Sequence, residues 1–429
     1  MTPRTSSGPK LPSLPALERA ARDRLGQIDW SQLPEVLRPL IDALAAVLHG
    51  AEAARQLTVL LRSHPGWDAG HRVVASEALF GVALWRRRLA HHAGAQSPAA
   101  LLASLLRDLG HLPKDSVRLW TETELPAPRP PPDDWPTRFS WPDSLVPELE
   151  RALGPEAPLF AAACNLPGPV TVRANRLRID RDALAERLQA EGAPSHPARY
   201  APDALHLEGR PNILGLPSHQ EGLFEVQDEG SQLVGALVQA RPGQRLLDLC
   251  AGAGGKTLLL AAALQGSGQV DAYDTDREAL ERLRHRAERA GASTTVRVLA
   301  ALPDDTYDAV LVDSPCSALG SLRRGPDVRW RLDVASFARW PPLQRALLET
   351  AAARVREGGR LVYATCTVRP EENAEVVRGF LEAHPEFHQV EAPVAPELRR
   401  GPTLVTLPHR HGTDGFDGGV FERSTTGPR

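Results

Sequence analysis

Hydrophobic residues recur at helical spacing through the first 120 residues. Five segments, near 15–25, 31–48, 51–63, 72–92 and 98–109, carry Leu, Val and Ala three or four positions apart and contain few strand signals. In the fourth segment, Leu79, Val82, Ala83 and Leu89 share one face, and the cations Arg86–Arg88 suit the helix end. The pattern predicts a helical domain over residues 1–123.

Prolines dominate residues 124–136, where no helix can continue, so this stretch is predicted to be a linker. Residues 137–240 then mix strand and helix patterns. Val170–Asn175 alternates as a strand, and Asp180 is placed to cap a helix that Gly192 ends. Further strands are predicted over 204–208 and 222–227, and a helix over 229–239. We expect a small α+β domain of the RRM-like kind.

Short apolar runs alternate with helical patterns in residues 241–429. The predicted strands are 245–250, 269–274, 295–299, 307–313 and 360–366, and the predicted helices are 256–265, 276–290 and 341–356. Strands that alternate with helices favour a parallel sheet covered on both faces. We therefore expect a multidomain chain that ends in an α/β, Rossmann-like domain with a mostly parallel sheet.

The composition indicates the class of protein and the cellular environment that suits it. The 429 residues carry a net charge of −3 and 42% hydrophobic residues, the balance of a globular protein. No apolar run approaches the roughly 18 residues of a membrane span, and prolines interrupt any signal core near the N-terminus. The four cysteines lie too far apart in sequence for metal-ligand spacing or a disulfide framework. We expect a reduced, cytoplasmic protein without a metal.

The glycine-rich segment Asp248–Thr257 lies between a predicted strand and a predicted helix. Its glycines allow a sharp turn and a close approach of the backbone to a ligand. Gly255-Lys256-Thr257 fits the end of a nucleotide-binding Walker loop, but Cys250 stands where that loop needs its first glycine. S-adenosylmethionine fits better, because a second acid, Asp274, ends the next strand, where it can accept hydrogen bonds from ribose hydroxyls. The predicted cofactor-binding residues are Asp248, Cys250, Ala251, Gly252, Ala253, Gly254, Gly255, Lys256, Asp274 and Asp313.

Two cysteines and an aspartate follow other predicted strands, in Asp313-Ser-Pro-Cys316 and in Thr365-Cys366. The carboxyl ends of parallel strands meet at one edge of a sheet, so these side chains should converge beside the glycine loop. Free cysteines are more often small buried hydrophobes, an interpretation that suits Cys164 and Cys250. A thiol beside a methyl donor indicates addition to carbon 6 of a pyrimidine, which makes carbon 5 nucleophilic, with Asp313 polarising the ring. The pattern leaves open which cysteine adds.

These residues resemble the Nol/Nop/Sun RNA cytosine-5 methyltransferases. The matching segments are Leu247–Thr257, Val312–Gly320, Arg323–Trp330 and Tyr363–Asn373, with Gln227–Gln232 upstream. The resemblance implies S-adenosylmethionine as cofactor, Cys366 as nucleophile, Cys316 in product release and Asp313 beside cofactor and base. The helical N-terminal domain is similar to the antiterminator NusB, which implies RNA binding. The resemblance of the whole chain implies the small-subunit (16S) rRNA of bacteria as substrate.

An RNA substrate is thus implied, and the charge pattern agrees locally. Arginines outnumber acids between Arg323 and Arg360, and arginine can pair with phosphates and stack on bases. A solvated arginine-rich surface is the alternative interpretation. The predicted RNA-binding residues are Arg323, Arg324, Arg329 and Arg331.

The sequence also departs from the family pattern. Gly252 and Ala253 stand where the family has alanine and proline, and Ala300 stands where an acid normally contacts the adenine side. Asp417 replaces a phenylalanine, before a predicted insertion at Gly418-Gly419. Two other functions stay open: an RNA-dependent, P-loop-like ATPase, and a catalytically silent rRNA-binding assembly factor, which Ala300 would favour. We expect a monomer.

Overall fold

The computed structural model describes residues 12–127, 129–209, 211–325 and 327–425. The chain forms two compact units. The helical unit comprises Met1–Pro167 and Leu322–Ala335, and the sheet unit comprises Gly168–Ser321 and Ser336–Arg429. Among the described helices, none has both the length and the apolar character that crossing a membrane requires.

The helical unit is built on Leu, Ala and Val side chains that pack between its helices. Side-chain caps begin several helices: Ser13, Asp68 and Ser97 accept hydrogen bonds from the backbone N–H three residues later. All five helices predicted before residue 110 are present, with ends that differ by a few residues. The helices are α1 Leu14–Gly26, α2 Leu33–Leu48, α3 Ala53–Ser63, α4 Ala69–Ala93, α5 Pro98–Asp108, α6 Lys114–Thr121, α7 Trp135–Arg138, α8 Val146–Leu153 and α9 Ala157–Ala163.

The predicted proline-rich linker does not separate the two units. The chain after it returns to the helical unit, where the Arg87 guanidinium donates to the carbonyl oxygen of Trp141 and to Asp143. Glu18 of α1 accepts hydrogen bonds from both Arg88 and Arg138. The helical unit therefore extends to Pro167, and the expected boundary near residue 137 does not coincide with the division between the units.

The sheet unit alternates strands and helices. Its strands are β1 Val170–Ala174, β2 Ser195–Pro197, β3 Ala204–Leu207, β4 Phe224–Val226, β5 Arg245–Asp248, β6 Gln269–Ala272, β7 Val296–Val298, β8 Tyr307–Asp313, β9 Val355–Thr365, β10 Phe387–Val390, β11 Arg399–Arg400, β12 Thr403–Thr406 and β13 Phe416–Arg423. Its helices are α10 Arg181–Ala190, α11 Pro217–Gln220, α12 Glu229–Ala236, α13 Gly255–Ala263, α14 Arg277–Ala290, α15 Trp340–Ala352, α16 Ala374–Ala383 and α17 Pro408–His411.

A small antiparallel sheet, in the order β2-β3-β1-β4, forms the first part of the sheet unit. Asp180 caps α10 as predicted, by accepting a hydrogen bond from the N–H of Ala183. Leu184 and Leu188 of α10 pack in one apolar cluster with Val172 and Phe224 of the sheet. The expected α+β arrangement is present from residue 168 onward.

The main sheet is mixed. Among the described residues its order is β11-β12-β13-β9-β8-β5-β6-β7, with β10 paired to β13. Neighbouring strands from β7 to β9 are parallel, whereas β10, β11, β12 and β13 pair antiparallel. The expected mostly parallel sheet is thus only the half formed by residues 245–365. Gly418 and Gly419 lie within β13, where they pair with Ala364 and Tyr363 of β9.

The parallel half of the sheet brings the predicted site residues to one edge. The segments that follow β5, β6, β8 and β9 all leave the sheet at the same edge, because parallel strands end on one side. The glycine loop follows β5, Asp274 follows β6, Cys316 follows β8 and Cys366 follows β9.

Candidate active site

The loop between β5 and α13 is shaped by two glycines with positive φ. Gly254 has φ +86°, and a Cβ there would lie 2.1 Å from Cδ1 of Leu283, so only glycine fits. Gly252 has φ +51°, but a Cβ there would meet nothing within 4 Å. The loop therefore packs closely on α14 at Gly254 and is open at Gly252, where a ligand can approach the backbone.

Asp274 fixes the open part of this loop. Its Oδ2 accepts a hydrogen bond from the N–H of Gly252 at 2.8 Å, and its Oδ1 accepts one from Asp276 at 2.8 Å. Each carboxylate oxygen keeps a further lone pair. The residue predicted to hold ribose hydroxyls thus also ties the loop to the end of β6.

Asp248 lies below the loop and is almost fully buried. Its Oδ2 accepts a hydrogen bond from Thr257 at 2.7 Å, whereas its Oδ1 has no partner among the described residues. Burial raises the pKa of Asp248 to about 7, against the hydrogen bond from Thr257. A buried oxygen without a donor is costly, so a hydrogen-bonding group that enters here would be favoured.

Lys256 bridges the loop to the end of β8. Its Nζ lies 2.5 Å from Oδ2 of Asp313 and 5.4 Å from the centre of the Phe416 ring. Lys256 is buried, while the Asp313 side chain keeps 28% of its surface exposed. Lys256 therefore holds the carboxylate of Asp313 at the surface of the site and balances its negative charge from the buried side.

Cys316 and Cys366 converge as predicted: their Sγ atoms lie 3.4 Å apart, and both residues are partly exposed. A backbone hydrogen bond joins the loops that carry the two thiols: the N–H of Gly320 donates to the carbonyl oxygen of Cys366 at 2.9 Å. A Cβ on Gly320 would lie 2.1 Å from the carbonyl oxygen of Gly415, so this crossing requires glycine.

The two thiols are inequivalent. The hydrogen bond from Cys316 lowers the pKa of Cys366 below its ordinary value, although burial opposes the shift. The charge of Asp313 also opposes this lowering of the pKa, and the charge of Lys256 supports it. The same hydrogen bond, with burial, raises the pKa of Cys316 well above its usual range. These opposite directions favour Cys366 over Cys316 as the thiolate, and the thiolate is the reactive form of a cysteine.

A buried polar network behind the cysteines was not predicted. Glu372, fully buried, accepts hydrogen bonds from the N–H of Ser317 at 2.9 Å, from Gln344 at 3.0 Å and from Arg369 at 3.0 Å. Gln344 also donates to the carbonyl oxygen of Pro315 at 3.0 Å. The network thus fixes the residues on both sides of Cys316. The only sequence signal for it was Tyr363–Asn373, a segment that matched the family without a role for any of its acids.

A second buried link fixes Cys366. Thr365 donates from Oγ1 to the side-chain oxygen of Asn373 at 2.6 Å, and Asn373 donates to the carbonyl oxygen of Thr367 at 3.0 Å. Asn373 therefore holds the residues before and after the thiol. Asp417, in place of the usual phenylalanine, lies opposite Thr365 in β13, and burial raises the pKa of Asp417 to about 7.

The small sheet supports the cofactor loop from outside. Arg173, fully buried in β1, donates to the carbonyl oxygen of Gly255 at 2.8 Å and to Gln227. Burial lowers its pKa to about 10. Arg286 donates to the carbonyl oxygen of Ala253 at 2.7 Å and pairs with Glu225 at the same distance. Sequence alone assigned no support role to these residues, because their contacts join segments far apart in the chain.

The four arginines predicted to bind RNA do not form one exposed surface. Arg329 is buried in the helical unit, where its guanidinium lies 4.1 Å from the Trp141 ring centre and donates to Asn165 at 2.7 Å. We correct the prediction for Arg329, because a phosphate cannot reach a side chain that is 1% exposed. Arg331 pairs with Asp327 at 3.0 Å. Arg324 is exposed and Arg323 is half-buried.

The remaining predicted positions have simpler surroundings. Burial raises the pKa of the Cys250 thiol well above its usual range, and Cys164 is buried in the helical unit, so neither has the character of a nucleophile. Ala300 is exposed, and its carbonyl oxygen accepts a hydrogen bond from Arg277 at 2.9 Å. Within the described part of the chain, no group of three His, Cys, Asp or Glu residues is arranged to hold a metal ion.

Two solved structures share the fold. The protein PH0851 superposes with a TM-score of 0.74 at 24% identity, over 91% of this chain and 99% of that one. NSun6 from Pyrococcus horikoshii, solved with SFG, superposes with a TM-score of 0.61 at 19% identity, over 66% of this chain and 98% of that one. At these identities the likeness concerns the fold alone.

Sequence comparisons identify the family. The family model for 16S rRNA methyltransferase RsmB/F matches residues 236–419, and the model for the ferredoxin-like domain of RsmF/B-like methyltransferases matches residues 141–214. A Bacillus subtilis protein, probable ribosomal RNA small subunit methyltransferase B, is 33% identical over 295 residues, which are 65% of this chain and 66% of that protein. Ribosomal RNA small subunit methyltransferase B of Salmonella arizonae is 35% identical over 65% of each chain. The chain therefore belongs to the RsmB/F family of 16S rRNA methyltransferases.

Proposed function

We propose that this protein transfers a methyl group from S-adenosylmethionine to carbon 5 of a cytosine in small-subunit ribosomal RNA. One observation carries the proposal: two inequivalent thiols lie 3.4 Å apart at strand ends, next to a carboxylate that a buried lysine holds. Carbon 5 of cytosine needs activation by a nucleophile at carbon 6, and this site offers one. The names of the curated relatives support ribosomal RNA as substrate.

The loop residues fit the proposed cofactor. Gly252 leaves the backbone open to a ligand, and the unpartnered Oδ1 of Asp248 awaits a donor. Asp274 keeps lone pairs for ribose hydroxyls while it holds the loop. S-adenosylmethionine, when bound, supplies an electrophilic methyl group. We assign its binding to Asp274, Asp313 and the loop from Asp248 to Lys256.

Three side chains are assigned to separate steps of the reaction on the base. Cys366 adds to carbon 6, since its thiolate is the favoured one. Asp313 polarises the ring, with Oδ2 held by Lys256 and Oδ1 left for the base. After methylation the carbon 5 proton passes to Cys316 as that thiol gives its own proton to the departing sulfur, while the electron pair of the carbon–hydrogen bond forms the ring double bond and the carbon–sulfur bond breaks. Cys316, 3.4 Å from the departing sulfur, is the group we assign to this release step.

We also retain several finer expectations as proposals. The helical unit would contain a NusB-like RNA-binding domain, the small sheet that begins after residue 168 would be an RRM-like domain, and residues 241–429 would be a methyltransferase domain. The protein would act as a monomer in the cytoplasm. The ATPase alternative loses support, because the glycine loop lies within the segment that the methyltransferase family model matches.

The test uses ribosomal RNA from a strain that lacks the protein. The full chain and labelled S-adenosylmethionine should transfer label, and bisulfite mapping should place it on carbon 5 of a cytosine. Cys366→Ala should abolish transfer, whereas Cys316→Ala should leave protein bound covalently to RNA on a denaturing gel. Cys164→Ala, a thiol outside the site, should behave like the unchanged protein. Cofactor binding without transfer to any RNA would instead support a silent assembly factor, and activity in Cys366→Ala would refute the nucleophile.

A further inference from the structure

A large cavity of about 840 Å³ lies within the helical unit. It is bordered by α4, by the start of α5, and by Arg129, Asp143 and Trp330. Trp330 belongs to Leu322–Ala335, the part of the helical unit that comes from the later sequence. A second cavity of about 240 Å³ shares Leu48, His49, Arg86 and Trp330 with the first. We call the two together the Arg86–Trp330 groove.

Arg86 borders both cavities with its hydrogen-bonding capacity unused. Its guanidinium carbon lies 4.6 Å from the centre of the Trp330 ring. Among the residues that the structure describes, it makes no hydrogen bond or ion pair, although burial lowers its pKa. Its neighbour Arg87 differs, because Arg87 donates to Thr137, to the carbonyl oxygen of Trp141 and to Asp143. Arg87 therefore stabilises the wall, and Arg86 is the cation left for a ligand.

The indole of Trp330 supplies a second unused donor. Its Nε1 is buried and has no acceptor among the described residues. Indole and guanidinium groups donate hydrogen bonds and accept none. Because the indole Nε1 is buried, the donor that an occupant of the groove can reach is the guanidinium of Arg86, so the occupant must bring acceptors, and a negative charge would balance Arg86. The stacked pair fixes the plane of the guanidinium, which reduces the entropy lost on binding.

The rest of the groove has the same sign of charge. Arg129 is exposed and uses one nitrogen on the carbonyl oxygen of His91, 3.1 Å away. His49 binds the carbonyl oxygen of Ala45 through Nδ1, at 2.7 Å. In the larger cavity the one carboxylate among the described lining residues is Asp143, and it is paired with Arg87 at 2.6 Å. The smaller cavity adds Asp327, which is paired with Arg331 at 3.0 Å. Both of these carboxylates are thus paired with arginines, and the charge of Arg86 is left unbalanced among the described lining residues.

We propose that the Arg86–Trp330 groove binds single-stranded RNA, with a phosphate oxygen on Arg86 and the strand continuing toward Arg129. This inference rests on the proposed function and names a second place, in the helical unit, where the substrate is held. RNA is favoured over an acidic peptide because a guanidinium stacked on an aromatic ring, beside further cations, matches alternating bases and phosphates. Arg329 differs from Arg86, because it is buried and its two terminal nitrogens already donate to Asn165 and to the carbonyl oxygen of Cys164.

The experiment measures binding separately from catalysis. The probe is a fluorescein-labelled single-stranded octaribonucleotide, titrated with the full chain at several KCl concentrations. Arg86→Ala should raise the Kd by about tenfold and reduce the slope of log Kd against log salt by about one. Trp330→Phe keeps an aromatic ring beneath Arg86 and removes only a buried donor, so it should leave the Kd close to that of the unchanged protein. Arg62→Ala, an exposed arginine on α3, is the matched control and should leave the Kd unchanged.

The outcomes distinguish failure of the groove hypothesis from failure of the proposed methyl-transfer function. With ribosomal RNA as substrate, Arg86→Ala should raise the KM for RNA and leave kcat unchanged, and thermal melting should show that the variant folds. An unchanged Kd in Arg86→Ala overturns the groove even if the enzyme is active. Displacement of the probe by poly-L-glutamate as readily as by unlabelled RNA overturns it in favour of a protein partner. Absence of methyl transfer in the unchanged protein counts against the proposed function, while the anisotropy titration still decides the groove.

Discussion

Glu372 offers a sharp test of how the site is held together. Its Oε2 accepts hydrogen bonds from the N–H of Ser317 and from Gln344, and its Oε1 accepts one from Arg369. The carboxylate is fully buried, so no water replaces a lost partner. Glu372→Gln preserves the size of the side chain and removes only its charge and one acceptor.

The size of the effect follows from these contacts. If the amide oxygen faces Ser317 and Gln344, the amide NH₂ faces the guanidinium of Arg369, a donor against a donor. If the amide is turned round, Ser317 and Gln344 lose their acceptor instead. Either arrangement leaves a buried donor without the acceptor that it has in the unchanged protein, which costs about 2–4 kcal/mol, while Arg369 keeps its ion pair with Glu371 at 3.6 Å. For a unit of this size, with a shift of roughly 2–4 °C per kcal/mol, the melting temperature should fall by about 5–15 °C.

Differential scanning calorimetry of the full chain would resolve the transition of the sheet unit. Glu375→Gln is the matched control, because Glu375 lies on the first turn of α16 and is exposed, and it should leave the transition unchanged. Release of methylated RNA should also slow in Glu372→Gln, since Cys316 precedes Ser317. A melting temperature within 2 °C of the unchanged protein would refute the argument that this network is a buried, charge-dependent support.

Three further predictions test the chemistry of the site. Iodoacetamide should alkylate Cys366 with a pH midpoint below that of free cysteine, about 8.5, and Cys316→Ala should move the midpoint up because the donated hydrogen bond is lost; an unmoved midpoint would exclude this cause. Copper phenanthroline, which oxidises adjacent thiols, should join Cys316 to Cys366, and peptide mapping that finds Cys366 joined to Cys250 would contradict the 3.4 Å separation. Asp248 has a folded pKa of about 7, above the unfolded value of about 3.9, so its contribution to stability is present below pH 4 and is lost as the pH rises through 7. Asp248→Asn should flatten the fall of melting temperature between pH 4 and 7, and an unchanged profile would argue against burial of the charge.

Local patterns were sufficient for most of the helices and for the parallel strands. The segment predicted as a helix over 98–109 is α5, which begins after the cap Ser97, because proline and a serine cap define that start. The strands that end the main sheet were not predicted. β11 has only two residues, and β13 contains Gly418, where a Cβ would lie 2.8 Å from Leu237. A glycine that permits close packing inside a strand has the same sequence signature as a loop.

The sequence predicted which groups of the site converge, but not how these groups change one another's pKa. Strand ends and the glycine loop indicated that Asp313, Cys316 and Cys366 would meet, since the topology of a parallel sheet requires it. The split in thiol pKa depends on a contact between residues 50 positions apart and on the distance to Lys256. No spacing rule contains that information, so the residues alone left the nucleophile open.

The arginines show why charge density alone predicts an RNA surface poorly. Arg329 and Arg86 both lie over a tryptophan, at 4.1 Å and 4.6 Å from the ring centres. Guanidinium groups are weakly hydrated and stack well, so an arginine-rich segment can supply structural contacts as readily as ligand contacts. What separates the two is the use of the donors: Arg329 donates to Asn165 and to the carbonyl oxygen of Cys164, whereas Arg86 has no acceptor among the described residues. Only the structure shows which exposed donors already have an acceptor and which do not. A phosphate can use the exposed donors that have none.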